Sequence, residues 1–428
     1  MRTIILLLSL LCSMVLQAQS AREDIRKNPY LAGSNYIDYN RQLPNFKYTK
    51  APRGYVPFYM SHYGRHGSRW LIDTNSYKNV IKPLLKAHEE DKLTILGERT
   101  LNQLKCFEKS TVKRFGDLTT VGERQHHEIG RRMAEHFPEI FIKSKGVQID
   151  ARSTTVNRCI LSMVAECEEL MAANPTAHIH NDVSESLQYY LNQPLEGIVK
   201  ESRHKGDSLL FAFRDQHTHP ERLMKALFND AEWTSKNIDA PTLMRQLFEV
   251  IINMQSHDNK ENMMDLFTLD ELYDMWRIQN AGWYKNYGPS PLTEGVMPFS
   301  QFNLLTNIIE TADTCVSLRK PQATLRFGHE VCVLPLACLM ELDSCGAVVE
   351  RLEDVEYRWQ NYKIFPMACN IQLIFYKPRK RHGDVLVKAL LNEREATLPV
   401  HTSTYPYYRW EDVRKYWIEK LNSFKHHD

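Results

Sequence analysis

Tyr55-Val56-Pro57-Phe58-Tyr59-Met60-Ser61-His62-Tyr63-Gly64-Arg65-His66-Gly67-Ser68-Arg69 is the stretch from which the rest of the chain is read. Its first half is apolar and β-prone and predicts a strand. The strand ends abruptly in a loop that sets one imidazole between two guanidiniums. Two fixed cations four residues apart favour a dianion, because the planar guanidinium fork matches phosphate oxygens in bidentate geometry. A neutral His66 between Arg65 and Arg69 is then placed to attack phosphorus. Gly64 and Gly67 let the backbone turn tightly and approach a bound group. The five residues from Arg65 to Arg69 alone read equally well as a polar surface turn.

The chain carries its own control. Arg381-His382-Gly383 repeats the core tripeptide between two strand-like runs, Asn370 to Tyr376 and Val385 to Leu391, and reads as a solvated hairpin turn.

Two more segments have the same layout of strand, polar turn and helix. Gly146 to Ala151 predicts a short buried strand leading into Arg152-Ser153-Thr154-Thr155-Val156-Asn157-Arg158. A helix follows, with Ile160, Met163, Val164, Cys167 and Leu170 on one stripe. There the helix start places Arg158 where an anion is favoured, while Arg152 reads as a structural ion-pair partner. Ala323 to Phe327 predicts a third strand, ending in Gly328-His329-Glu330 before a helix over Cys332 to Leu342. Ligand groups gather at the carboxyl ends of strands in open α/β sheets. Three strand ends thus offer Arg/His/Arg, Arg and His/Glu.

A zinc motif starting at His329-Glu330 needs its second His at position 333, which is valine. No Cys-x-x-Cys pair is present, so neither a metal nor another cofactor is expected. His178 and His180 share a face of one short strand, and His126 and His127 lie on a helix, ordinary positions for satisfied or exposed imidazoles.

Between these segments, helices are expected over Ser76 to Glu90 and from a capping box at Thr120 and Glu123 to about Phe137. From about Asp182 to Leu318 strand character nearly vanishes. Amphipathic patterns such as Leu243, Leu247, Ile251 and Met254 replace it, together with a helix opened by Thr268 and Glu271. The expected fold class is α/β: a central sheet flanked by helices, with a mostly helical inserted subdomain. The expected organisation is a signal segment over 1–20, an α/β core from 21–181 and 319–428, and a helical subdomain over 182–318.

Arg2, an apolar run from Ile4 to Leu16 and small residues around Ala18 to Ala21 have the layout of a cleavable secretory signal, and the run is short for a membrane span. Export to the periplasm or beyond is therefore expected, with no stable membrane insertion. Lys and Arg number 54 against 52 Asp and Glu, for a formal charge of +2, so nothing global points to nucleic acid. Apart from Cys12 in the signal there are eight cysteines, an even number that permits disulfides in an oxidising compartment.

Taken in order, Arg65 to Arg69, Leu118-Thr119-Thr120-Val121-Gly122-Glu123-Arg124-Gln125, Arg152 to Arg158 and Gly328-His329-Glu330 resemble the histidine acid phosphatases, clade 2 of the histidine phosphatase superfamily. Asn28-Pro29-Tyr30-Leu31 and Leu386 to Glu393 make the chain most similar to bacterial multiple inositol polyphosphate phosphatases. The resemblance implies that His66 is the nucleophile, that Arg65, Arg69 and Arg158 hold the phosphate, that His329 hydrogen-bonds it, and that Glu330 is the proton donor. It implies a phosphate ester as the small-molecule partner, most of all an inositol polyphosphate such as phytate. The alternatives are a broad acid or sugar-phosphate phosphatase and a non-catalytic phospholigand-binding protein. Two positions depart from the family pattern: Leu71 stands where a proline is common, and Val331 where this branch carries its acid. Lys47, Lys50 and Arg53 are either contacts for neighbouring phosphates or plain surface charge.

Overall fold

The computed structural model describes residues 21–42, 47–258, 262–380 and 383–425. The expected signal segment, Arg381 and His382 lie outside them. A mixed sheet organises the chain, with strands β1 (Tyr55–Arg65), β2 (Gln148–Ser153), β3 (His178–Val183), β4 (Gln322–Gly328), β5 (Asn370–Pro378), β6 (Leu386–Leu391), β7 (Arg394–Ala396) and β8 (Tyr408–Arg409). Their order is β3-β2-β4-β1-β5-β6-β7, with β8 on β6. The β3-β2-β4-β1 half is parallel and the β1-β5-β6-β7 half antiparallel. β5 and β6 form the expected hairpin, with Tyr376 opposite Leu386.

The helices longer than ten residues among those described are α1 (Ser76–Glu89), α2 (Ile95–Thr111), α3 (Thr120–His136), α4 (Asn157–Ala173), α5 (Ala240–Asn253), α6 (Leu269–Tyr287), α7 (Phe302–Leu318), α8 (Glu330–Met340) and α9 (Trp410–Lys425). Alternation along the strands gives the sheet two apolar faces, as burial on both sides requires. On one face Met60, Ile149, Ala151, Ala323, Leu325 and Phe327 pack against Ile129 and Met133 of α3 and Met163 and Leu170 of α4. On the other, Tyr59 and Tyr63 meet Leu304 and Ile308 of α7, Leu334 of α8 and Trp417 of α9. A further core joins Leu84 of α1 and Leu101 of α2 to Leu247 of α5 and Trp276 of α6, and Leu71 is buried in it.

Two local expectations are corrected. The N-cap of α3 is Thr119, not Thr120: its hydroxyl accepts from the Gly122 amide at 3.1 Å, while Thr120 donates to Asp258. Thr119 prevails because its hydroxyl also donates to the Ser68 carbonyl at 3.0 Å, tying the helix start to the loop. Val164 is 37% exposed, because the buried stripe of α4 turns to bring Ser162, Ala165 and Glu166 inside. Lys47, Lys50 and Arg53 precede the first residue of β1, at the opposite end from His66; the 11-residue strand spans about 33 Å at about 3.3 Å per residue. The capping box at Thr268 and Glu271 is present in full. All eight described cysteines are free thiols, only Cys106 being exposed.

Candidate active site

Parallel pairing sets the register of the site. Arg65 lies opposite Gly328, and Ser153 opposite Phe327, so the chain leaves β1, β2 and β4 along one edge of the sheet. The His66 amide donates to the Gly328 carbonyl at 2.9 Å, and the Arg65 amide to the Cys369 carbonyl at 2.8 Å. Beyond His66, the Gly67 amide donates to Ser162 Oγ at 3.1 Å and the Ser68 amide to Gln125 Oε1 at 2.9 Å. At Gly67 a glycine is required by close approach: a Cβ there would lie 2.3 Å from the Gly122 carbonyl oxygen.

His66 is fully buried, and its Nδ1 lies 2.8 Å from the Gly67 carbonyl oxygen. A carbonyl only accepts, so Nδ1 carries the proton and Nε2 keeps its lone pair. Nε2 is buried without a hydrogen-bond partner. Burial, joined by the charges of Arg65 and Arg158, holds the imidazole well below its ordinary pKa despite the nearby Glu330.

Around it stand the three arginines. Nη1 of Arg65 donates to the carbonyls of Asn35, Pro366 and Phe365 at 2.6, 3.1 and 3.3 Å, while Nη2 lies 3.0 Å from Glu330 Oε1. Arg69 donates to the Trp70 carbonyl, stacks 5.4 Å from the Tyr36 ring and places Nη2 3.9 Å from the same carboxylate. Arg158 reaches the Gly116 carbonyl at 3.3 Å; burial, with Arg69 and Arg65 close by, lowers its pKa. The Nε atoms of all three are buried donors without a hydrogen-bond acceptor. Unsatisfied buried donors carry a desolvation penalty that a bound oxyanion would remove.

His329 and Glu330 complete the site. The His329 ring sits edge-on to His66 at 5.8 Å, with Nε2 3.4 Å from Thr154 Oγ1, and burial pushes its pKa down to about 4. Glu330 Oε2 is 3.7 Å from His66 Nε2, and Asn35 donates to Oε1 at 3.4 Å. Burial opposes ionisation of this carboxyl, but Arg65, with His66 and Arg69, outweighs it and holds the group well below the usual carboxylate range. In this state the carboxylate stands where an anionic ligand would meet Arg65. Val331 packs on the core under the sheet instead, so Glu330 is the acid that faces His66.

All six residues singled out in the sequence thus converge on one buried site. Sequence reasoning missed the supports: Asn35, which touches both Arg65 and Glu330, and Ser162, Gln125 and Thr119, which hold the loop. Thr119 and Gln125 lie within the Leu118 to Gln125 segment, but no pattern assigns them a task. His66, His329 and Glu330 each offer a ligand atom within 4.8 Å of the others, the spacing of a metal site among the described residues. Guanidinium nitrogens 3.0 and 3.9 Å from the carboxylate make the site suit an anion better than a divalent cation.

Residues 64–392 match the sequence profile of the histidine phosphatase superfamily (branch 2). Among solved structures, the chain is similar to the Bifidobacterium longum multiple inositol polyphosphate phosphatase in complex with inositol hexasulfate. Identity is 18% and the TM-score 0.72, with 90% of this chain and 96% of that one covered. It is also similar to the phytase from D. castellii, at 14% identity and a TM-score of 0.67, covering 92% and 85%. The Hafnia alvei phytase in complex with myo-inositol hexakis sulphate follows at 10% identity and a TM-score of 0.53, covering 86% and 98%. At these identities the likeness is one of fold. No curated protein sequence matches the chain.

Proposed function

The chain belongs to the histidine phosphatase superfamily, branch 2, and is a phosphatase, and from that premise we propose that it hydrolyses phosphate monoesters through a phosphohistidine on His66, with inositol polyphosphates as substrates. One observation carries the reading: a buried, unprotonated His66 Nε2 without a partner, surrounded by guanidinium donors without acceptors.

In this scheme the substrate phosphate takes Arg65 from Glu330 and is held by Arg65, Arg69, Arg158 and His329. Each charge-assisted hydrogen bond contributes about 1.5–3 kcal/mol, so these side chains suffice to bind a dianion. His66 Nε2 forms a bond to phosphorus as the ester P–O bond breaks, and the guanidiniums stabilise the charge on the equatorial oxygens. Glu330, deprived of Arg65 and facing a phosphate, takes up a proton and passes it to the leaving alkoxide. The resulting carboxylate then deprotonates water, which attacks phosphorus; the P–N bond breaks and inorganic phosphate leaves.

Inositol polyphosphates are favoured as the substrate class because the similar structures are an inositol polyphosphate phosphatase and phytases. The signal-like start of the chain supports action outside the cytoplasm, which N-terminal sequencing of the exported protein tests. Phosphate release from phytate, sugar phosphates and simple monoesters, with and without chelator, tests the activity. Phytate turned over far less efficiently than simple monoesters would replace the substrate class and leave the phosphatase standing. No release from any ester would leave a binding protein.

A further inference from the structure

Behind the catalytic loop, three titratable side chains with no part in the scheme above are buried together. His62 comes from β1, His126 from α3 and Glu166 from α4, each at most 1% exposed. Glu166 Oε2 lies 2.9 Å from His126 Nδ1, and His126 Nε2 lies 3.1 Å from the carbonyl oxygen of Arg65. The second carboxylate oxygen has no hydrogen-bond partner; it faces His62 Nε2 at 3.8 Å. Gly130, one turn after His126, makes the pairing possible, since a Cβ there would come within 2.6 Å of the Glu166 carbonyl oxygen.

The Arg65 carbonyl only accepts, so His126 Nε2 must carry a proton. Nδ1 faces a carboxylate, so the 2.9 Å contact holds a proton as well, and Glu166 thereby fixes the orientation of the ring. The carbonyl so held belongs to the peptide whose N–H is that of His66, and this N–H donates to Gly328. The peptide unit carrying the imidazole at the site is therefore gripped at both ends. A buried carboxylate with one oxygen unmatched is destabilising, and what it maintains here is the placement of that peptide.

We propose that His126 is a positioning residue for the reaction, oriented by Glu166, and that its Nε2–H grip on the Arg65 carbonyl sets the attack geometry of His66. The proposal rests on His66 being the nucleophile. The test compares His126→Gln, whose amide nitrogen falls near the Nε2 position and can still donate to Arg65, with His126→Asn, whose amide falls near Nδ1 and cannot. Single-turnover phosphorylation by p-nitrophenyl phosphate and the dissociation constant of inorganic phosphate are measured for both.

His126→Gln should stay within about threefold of the unmodified rate, while His126→Asn loses about 10- to 100-fold, the range usual for lost orienting contacts and small misplacements. Phosphate affinity should change by less than about threefold. Equal rates for the two variants, or a loss confined to phosphate affinity, overturn the proposal. Should either variant not fold, ring-nitrogen NMR on the unmodified protein decides: Nε2 of His126 must carry the proton donated to the Arg65 carbonyl, and an Nε2 without one refutes the grip. His66→Ala run alongside separates the two claims, since phosphorylation surviving in it removes the nucleophile reading itself.

Discussion

Replacing Glu330 with glutamine should change product affinity and leaving-group dependence in opposite senses. In the resting site the carboxylate sits 3.0 Å from Arg65 Nη2 and 3.9 Å from Arg69 Nη2, so phosphate must displace it before binding. One charge-assisted contact of this kind is worth about 1.5–3 kcal/mol, which corresponds to roughly 10- to 150-fold in a dissociation constant. Glu330→Gln should therefore bind inorganic phosphate at least about tenfold more tightly at pH 7, by calorimetry. The same change removes the transferable proton. Phosphorylation of His66 by an alkyl phosphate, with its basic leaving oxygen, should slow by about 10²- to 10⁴-fold. Phosphorylation by p-nitrophenyl phosphate, whose leaving group departs unaided, should slow far less. Single-turnover quench measurements keep slow hydrolysis of the intermediate from masking the difference. Unchanged phosphate affinity would refute the competition for Arg65, and equal losses on the two esters would move the acid elsewhere.

Other substitutions and conditions give sharp outcomes. Gly67→Ala places a Cβ 2.3 Å from the Gly122 carbonyl oxygen, so the loop must move off α3; kcat should fall about 100-fold, and parental kinetics would contradict the close approach. Arg65→Lys cannot both donate to the three carbonyls and reach a phosphate, so phosphate affinity should drop by at least about tenfold, whereas near-parental affinity would show that the fork is not needed. His62 and His329 have pKa values lowered by burial to about 4, and burial holds His66 well below its ordinary value too, so all three are neutral in the fold near pH 6 and charged in the unfolded chain below about pH 6.5. The unfolded state then binds more protons, and stability should fall as pH drops from 6.5 towards 4, by about 1.4 kcal/mol per pH unit for each histidine. Urea denaturation at fixed ionic strength measures it, and a flat profile between pH 6.5 and 4.5 would contradict the buried neutral histidines.

Much of this was legible because chemistry and periodicity coincide in short segments. The Tyr55 to Arg69 stretch announces both a strand and its loop, and the three strand–turn–helix segments bring their polar residues to one edge of the sheet through parallel register alone. The supports of the site were not legible. Asn35 reaches Arg65 and Glu330 from far away in sequence, and a lone asparagine near the start carries no pattern. The cap of α3 went to Thr119 rather than Thr120 because a tertiary hydrogen bond to Ser68 chose between two adjacent threonines. Likewise Lys47, Lys50 and Arg53 are near His66 in number but a strand's length away in space. Local sequence proximity says little about which end of a strand a charge occupies. His126 reads as an ordinary helical histidine until α4 brings Glu166 against it.

The central claim is covalent chemistry at His66, and rapid-quench trapping with ³²P-labelled substrate tests it most directly. The expected result is a phosphoryl-enzyme that survives base and is lost in acid, maps to His66, forms in the presence of chelator and is absent from folded His66→Ala. Label on another residue, or activity that chelator abolishes and a divalent ion restores, would contradict it.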